Sequence, residues 1–163
     1  MTDTIIIRRA TPEDVPQVYT LVRGLAEYVK ETHLLKGTEE DLLRDGFGDQ
    51  PRFRCLVADD GAGTLLGTVI YSANYSTWVG RSTCYIDDFF VSDKARGKGL
   101  GRRLMATVAA EALAEGHGRI SLTVLDWNPA REAYHNLGFE HEESSLRYTV
   151  SGEALSKLAA SAG

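Results

Sequence analysis

Residues 85–105 read YIDDFFVSDKARGKGLGRRLM, and three kinds of local structure follow one another along them. Tyr85, Ile86, Phe89, Phe90 and Val91 are β-formers interrupted by Asp87 and Asp88, which predicts a strand. Leu100, Leu104, Val108 and Leu113 recur at near-helical spacing, which predicts a helix with those side chains on its buried stripe. Between them Gly97, Gly99 and Gly101 alternate with other residues, and Lys94, Arg96, Lys98, Arg102 and Arg103 lie among and beside them. A glycine loop that opens a helix presents unpaired backbone N–H groups, and the positive end of the helix dipole adds to their field. Strand, loop and helix therefore form an anion cradle suited to a phosphate.

Two familiar phosphate loops are excluded by spelling. A Walker-type loop ends in Gly-Lys-Ser/Thr, whereas Arg102 follows Gly101 here, so no hydroxyl is placed for magnesium. A dinucleotide fingerprint G-x-G-x-x-G counted from Gly97 or Gly99 puts Arg102 or Leu104 at its third glycine. What fits is Arg96-x-x-Gly99-x-Gly101, which resembles the R/Q-x-x-G-x-G/A loop of GNAT-superfamily N-acyltransferases. DDFFV before the loop, DWNPAREAY after the helix and DGFGDQPRFRCLVA upstream resemble the spermidine/spermine N-acetyltransferase branch. YSTWVGR at residues 75–81 is similar to the thialysine N-acetyltransferase relatives. The resemblance covers nearly the whole chain, with the motifs in the family's order.

The composition agrees with one α/β domain spanning residues 1–163. At 163 residues the chain can bury a real core, and 43% hydrophobic with 25% charged residues describes a globular protein. No apolar run approaches the ~20 residues of a membrane span. Met1-Thr2-Asp3-Thr4 lacks the basic start and apolar run of a signal peptide. Cys55 and Cys84 stand in no C-x-x-C arrangement and read as reduced core thiols, which fits a cytoplasmic protein. His33, His117, His135 and His141 have no metal-ligand spacing, so no metal is expected. A net charge of −5 speaks against nucleic acid and suits a cationic small molecule.

In chain order the pattern predicts a strand at residues 5–9 and a helix from Thr11-Pro12-Glu13-Asp14 to about Lys30, with a short helix after Thr38. Strands follow at 53–58, 65–75 and 81–91, then the long helix, a strand at 119–125 and a helix at 130–137 ended by Gly138. Residues 139–142 and 146–150 read as a last strand pair, and residues 153–159 as a closing helix. The expected fold is a mostly antiparallel sheet flanked by helices. The helical crossover makes the fourth and fifth strands parallel, and in GNAT folds these two splay apart.

The resemblance implies a site for acetyl-CoA. Arg96, Gly97, Lys98, Gly99, Leu100, Gly101 and Arg102 would hold its pyrophosphate. Phe89, Phe90 and Val91 would line its pantetheine arm, and Asn128 would contact the same region. The segment from Asn128 to Tyr134 is one residue shorter than in the resembled branch, which implies a tighter loop.

A primary alkyl amine, with pKa near ~10.4, reaches a neutral site protonated, so something must take a proton. Asp87 matches the position that is usually glutamate in the family, and one methylene less favours action through water. Regular strand alternation sends Asp88 to the opposite face unless a bulge intervenes, and there it would tie down a neighbouring backbone or cation.

Tyr134 matches the tyrosine that protonates the departing thiolate, although beside Ala133 and Leu137 it also reads as core. Glu27 and Tyr28 read by themselves as a solvated helix end, as does Glu31. The resemblance implies that Glu27 and Tyr28 contact the acceptor, with Asp87 and Trp78. Relatives in this branch are generally homodimers, and Trp78 reads equally as interface or core. Three readings stay open: acetylation of a small cationic amine, acetylation of a peptide amine, or CoA binding without catalysis.

Overall fold

The computed structural model describes residues 4–163. The signal-peptide reading concerns Met1, Thr2 and Asp3 and lies outside them. Strands β1 (Ile6–Arg9), β2 (Arg54–Asp59), β3 (Leu65–Ser76), β4 (Arg81–Val91) and β5 (Ile120–Leu122) form one sheet in sequence order. The first four pair antiparallel and β4 with β5 parallel, as the crossover helix demands.

One face of the sheet is covered by helix α1 (Val15–Tyr28). Its Val18, Leu21 and Val22 pack with Cys55, Val57, Leu65 and Ile70. Helix α2 (Glu39–Phe47) is capped by Thr38, whose hydroxyl accepts from the Asp41 N–H while the Asp41 carboxylate accepts from the Thr38 N–H. The other face takes the long helix α3 (Leu100–Ala114), with Leu104 and Val108 fully buried. Leu113 is a correction to the expected stripe. It is 77% exposed and Ala112 is buried instead, because thirteen residues at 3.6 per turn carry it well round from Leu100.

Gly67 marks where α3 and β4 meet β3. A Cβ there would stand 3.0 Å from the Phe90 carbonyl oxygen and 3.2 Å from a Leu104 methyl. Gly67→Ala should therefore cost about 1–3 kcal/mol, the usual range for overpacking a core. Thermal unfolding followed by circular dichroism checks this: the midpoint should fall by several degrees, and an unchanged midpoint would show that the sheet gives way.

The chain divides into two compact units, Met1–Pro129 and Ala130–Gly163, and the sheet lies wholly in the first. The second holds helices α4 (Ala130–Asn136) and α5 (Gly152–Ala160). Helix α4 ends where Gly138 turns to a φ of 95°. The strand pair expected at residues 139–142 and 146–150 does not form; among the described residues no strand follows β5. That stretch is exposed from Glu140 to Val150, and the alternating Leu146, Tyr148 and Val150 stay in solvent, so no burial there rewards strand pairing.

Candidate active site

The decisive feature is where β4 leaves β5. The two strands pair through Cys84–Ile120, Tyr85–Ser121 and Ile86–Leu122, and β4 then continues to Val91. The fifth strand is thus shorter than the 119–125 expected. The cause lies in β4 itself. On its β3 side Ile86 pairs with Tyr71 and Asp88 with Ile70, leaving Asp87 as an extra residue. This is a β-bulge, which bends a strand and re-aims its side chains.

The bulge overturns the expectation for Asp88. Ile86 shares its face with Tyr71, whose hydroxyl donates to Glu111 of α3. Asp88 lies across from Ile70, in the core under α1. Alternation puts Asp87 on the α1 face, and the inserted residue keeps Asp88 there too, so both carboxylates share one side. Asp87 is exposed and Asp88 half-buried. Burial, then the neighbouring Asp87 charge, pushes the Asp88 carboxyl up to about 6. Sequence reasoning set Asp88 aside; a pair of adjacent acids amid strand-formers was the available signal.

Phe90 lies on the same face against Gly24 of α1, where a Cβ would come within 2.8 Å of its ring. One helical turn beyond Gly24, Tyr28 stacks under the Arg96 guanidinium at 4.8 Å, and Phe90 lies 5.6 Å from it. Tyr28 therefore meets the glycine loop directly. Arg96 also donates from Nε to the Val91 carbonyl at 3.3 Å and pairs with Asp93 at 3.0 Å. Glu27 is exposed and reaches Arg23 at 3.9 Å. Helix α1 closes on Lys30, a non-glycine residue at φ 62°. The N–H of Lys30 donates to Glu27 and that of Glu31 to Ala26.

The loop has the backbone that an anion cradle needs. Gly97 and Gly99 hold φ values of 78° and 72°, a region that side chains disfavour. Gly99 is the N-cap of α3 and has no side chain to occupy the first-turn N–H groups. Gly101 lets the helix approach the strand, since a Cβ would stand 3.1 Å from Phe89 Cζ. Lys98 and Arg102 are exposed beside it, while Leu100 is buried and anchors the turn. Arg103 is spent elsewhere, donating to the Ile5 carbonyl at 2.7 Å.

Asn128 is buried, and its N–H donates to the Leu125 carbonyl at 3.0 Å. Trp78 sits at the β3–β4 turn, 99% exposed, which removes it from the core. Tyr134, in the second unit, is half-buried on α4 and meets Phe139 edge-on with ring centres 5.7 Å apart. Burial raises its phenol further above the ordinary value. Burial likewise pushes the Cys55 and Cys84 thiols up to about 11, so neither supplies a thiolate near neutrality. Among the described residues no group of three or more His, Cys, Asp or Glu could hold a metal ion, and no helix is long and apolar enough to cross a membrane.

Comparison with known proteins agrees with this geometry. The chain is 38% identical to thialysine N-epsilon-acetyltransferase of Mus musculus over 164 residues, covering 94% of this chain and 96% of that protein. It is 32% identical to spermidine/spermine N(1)-acetyltransferase-like protein 1 of Homo sapiens, covering 82% of this chain and 20% of that protein. Among solved structures, an integron cassette protein from the mobile metagenome of V. cholerae superposes with a TM-score of 0.78 at 25% identity, covering 96% and 98% of the two chains. The model of the acetyltransferase (GNAT) family matches residues 18–139. A sheet whose fourth strand bulges away from the fifth above a glycine loop has its explanation here: the chain belongs to the acetyltransferase (GNAT) family.

Proposed function

We propose that this N-acetyltransferase moves the acetyl group of acetyl-CoA to the primary amine of a small cationic acceptor, such as a lysine-like amino acid, a diamine or a polyamine. The observation that carries this reading is the bulge. It sets Asp87 and Asp88 on one face, beside the point where β4 parts from β5. Paired carboxylates attract an ammonium group and can then take its proton. The names of the relatives, which refer to thialysine and to spermidine and spermine, support the acceptor class.

The loop from Arg96 to Arg102 fits a pyrophosphate: its glycine backbone cannot carry side chains without strain, and its N–H groups open a helix. Bound acetyl-CoA would supply an activated thioester carbonyl. Phe89, Phe90 and Val91 would flank its pantetheine arm and Asn128 would help hold it. Asp88, whose carboxyl burial pushes up to about 6, would accept the ammonium proton directly or through water, and Asp87 beside it would help hold the ammonium group. Tyr134 would give a proton to the departing sulfur. The amine would attack directly in a ternary complex, and neither buried thiol supplies a thiolate near neutrality to carry the acetyl group instead.

The family match runs across residues 18–139, which supports treating residues 1–163 as one acetyltransferase domain. Trp78 and Tyr75, at 99% and 68% exposure on the β3–β4 arm, support a homodimer, and sedimentation at micromolar concentration would reveal one. Reduced, unpaired cysteines suit a cytoplasmic setting.

The deciding experiment follows CoA-thiol release from acetyl-CoA against polyamines, diamines, lysine analogues and peptides. Turnover with the small cationic amines is expected. Turnover with peptides alone would overturn the acceptor assignment. CoA binding without turnover of any amine would leave a CoA-binding protein.

A further inference from the structure

The α1 face of the sheet carries a second polar feature, farther along β4 from the acidic pair. A cavity of about 400 Å³ lies there, lined in part by Asn74, Ser76, Thr83, Tyr85, Arg119 and Ser121. Strand register puts their side chains on one face. Ser72 pairs with Tyr85, Asn74 with Thr83 and Ser76 with Arg81, while Tyr85 pairs with Ser121 across to β5. Tyr85 is two residues before Asp87, so the cavity and the carboxylates belong to the same side. Its hydroxyl lies 3.1 Å from that of Thr123, farther along the same line.

Within this hydroxyl-lined cavity Arg119 is the single charged lining residue. It directly precedes Ile120, the partner of Cys84, and so stands beside Thr83. Thr83 and Asp87 are separated by ~13 Å of strand at ~3.3 Å per residue. Side chains reaching in from both ends leave a gap on the scale of an extended lysine-like molecule. Among the described residues Arg119 is exposed and enters no ion pair, unlike Arg8, Arg9, Arg44 or Arg54.

We propose that Arg119 determines acceptor specificity by taking the carboxylate of an amino acid whose side-chain amine is held at Asp87 and Asp88. The proposal rests on the N-acetyltransferase reading above. A guanidinium offers a planar fork of donors that matches a carboxylate with two parallel hydrogen bonds. The same charge repels the distal ammonium of a diamine or polyamine, so the site discriminates by repulsion as well as by attraction. Hydroxyls and an amide between the two ends can satisfy a polar backbone without adding charge.

The test compares thialysine with the diamine that lacks only its carboxylate, using wild-type enzyme, Arg119→Ala and Arg119→Glu. Wild type should favour thialysine. In Arg119→Ala the KM for thialysine should rise roughly 10- to 100-fold, the size of a lost charge-assisted hydrogen bond, with kcat nearly unchanged. The diamine KM should stay level or fall. Arg119→Glu should invert the preference. If Arg119→Ala fails to fold, Arg119→Lys, which keeps the charge and loses the fork, should still lose several-fold for thialysine alone. Equal losses for both acceptors, or no change for either, would overturn the role of Arg119 while leaving acetyl transfer intact. A wild-type enzyme that acetylates neither amine would overturn the acceptor reading and this proposal with it.

Discussion

Replacing Tyr134 by phenylalanine is expected to lower kcat by roughly 10²–10⁴-fold, the usual size of a general acid–base contribution, with CoA affinity almost unchanged. The leaving group of the reaction is a thiolate, and a phenol raised above its ordinary value by burial stays protonated throughout the working pH range. Phenylalanine keeps the ring and its edge-on contact with Phe139, so the substitution removes the hydroxyl and little else. Steady-state kinetics with a calorimetric measure of CoA binding separate the outcomes. A fall in kcat with intact binding supports the proton-donor role. An unchanged kcat would return Tyr134 to a packing role.

The second large effect is expected at Asp88, with opposite signs for stability and catalysis. Its folded pKa of about 6 lies above the ordinary carboxylate value of 3.8, so the fold favours the neutral acid. The stability it contributes is therefore fully present below pH 3.8 and is lost as pH rises through about 6. Asp88→Asn should then be more stable than wild type at pH 8, by about 1–3 kcal/mol, and no different near pH 3.5. Chemical denaturation at the two pH values measures this. Activity should move the other way. The wild-type kcat/KM should climb through about pH 6 as Asp88 ionises, and Asp88→Asn should lose both that inflection and ~10²-fold or more in rate. A variant that kept the inflection would assign it to another group.

Most of the fold could be read from the chain because its signals are local. Glycines at 97 and 99 demand a left-handed backbone, and leucines at 100 and 104 repeat at a helical period. The parallel pairing of β4 and β5 followed from the crossover helix between them. The bulge at Asp87 was not legible in the same way. It is a mismatch between two strands, visible only once Ile70 and Tyr71 are paired with Asp88 and Ile86. Regular alternation alone splits the two carboxylates between faces, and only the observed register shows that the bulge is present. Arg119 escaped for a related reason. It lies at the end of a three-residue strand, far in sequence from the acids whose face it shares. Residues 139–150 erred in the other direction, since the β-formers there form no strand and Leu146, Tyr148 and Val150 stay exposed.

The two cysteines have a practical consequence at the bench. Both are single thiols sealed in the sheet, Cys84 at 3% exposure and Cys55 at 6%. A dye that reacts with free sulfhydryls will therefore meet released coenzyme long before it meets the native protein. Acetyl transfer can be watched continuously, in one cuvette, with the dye present from the first second. The same dye reaches Cys55 and Cys84 only when the sheet opens, so once substrate is left out the colour becomes a clock for unfolding.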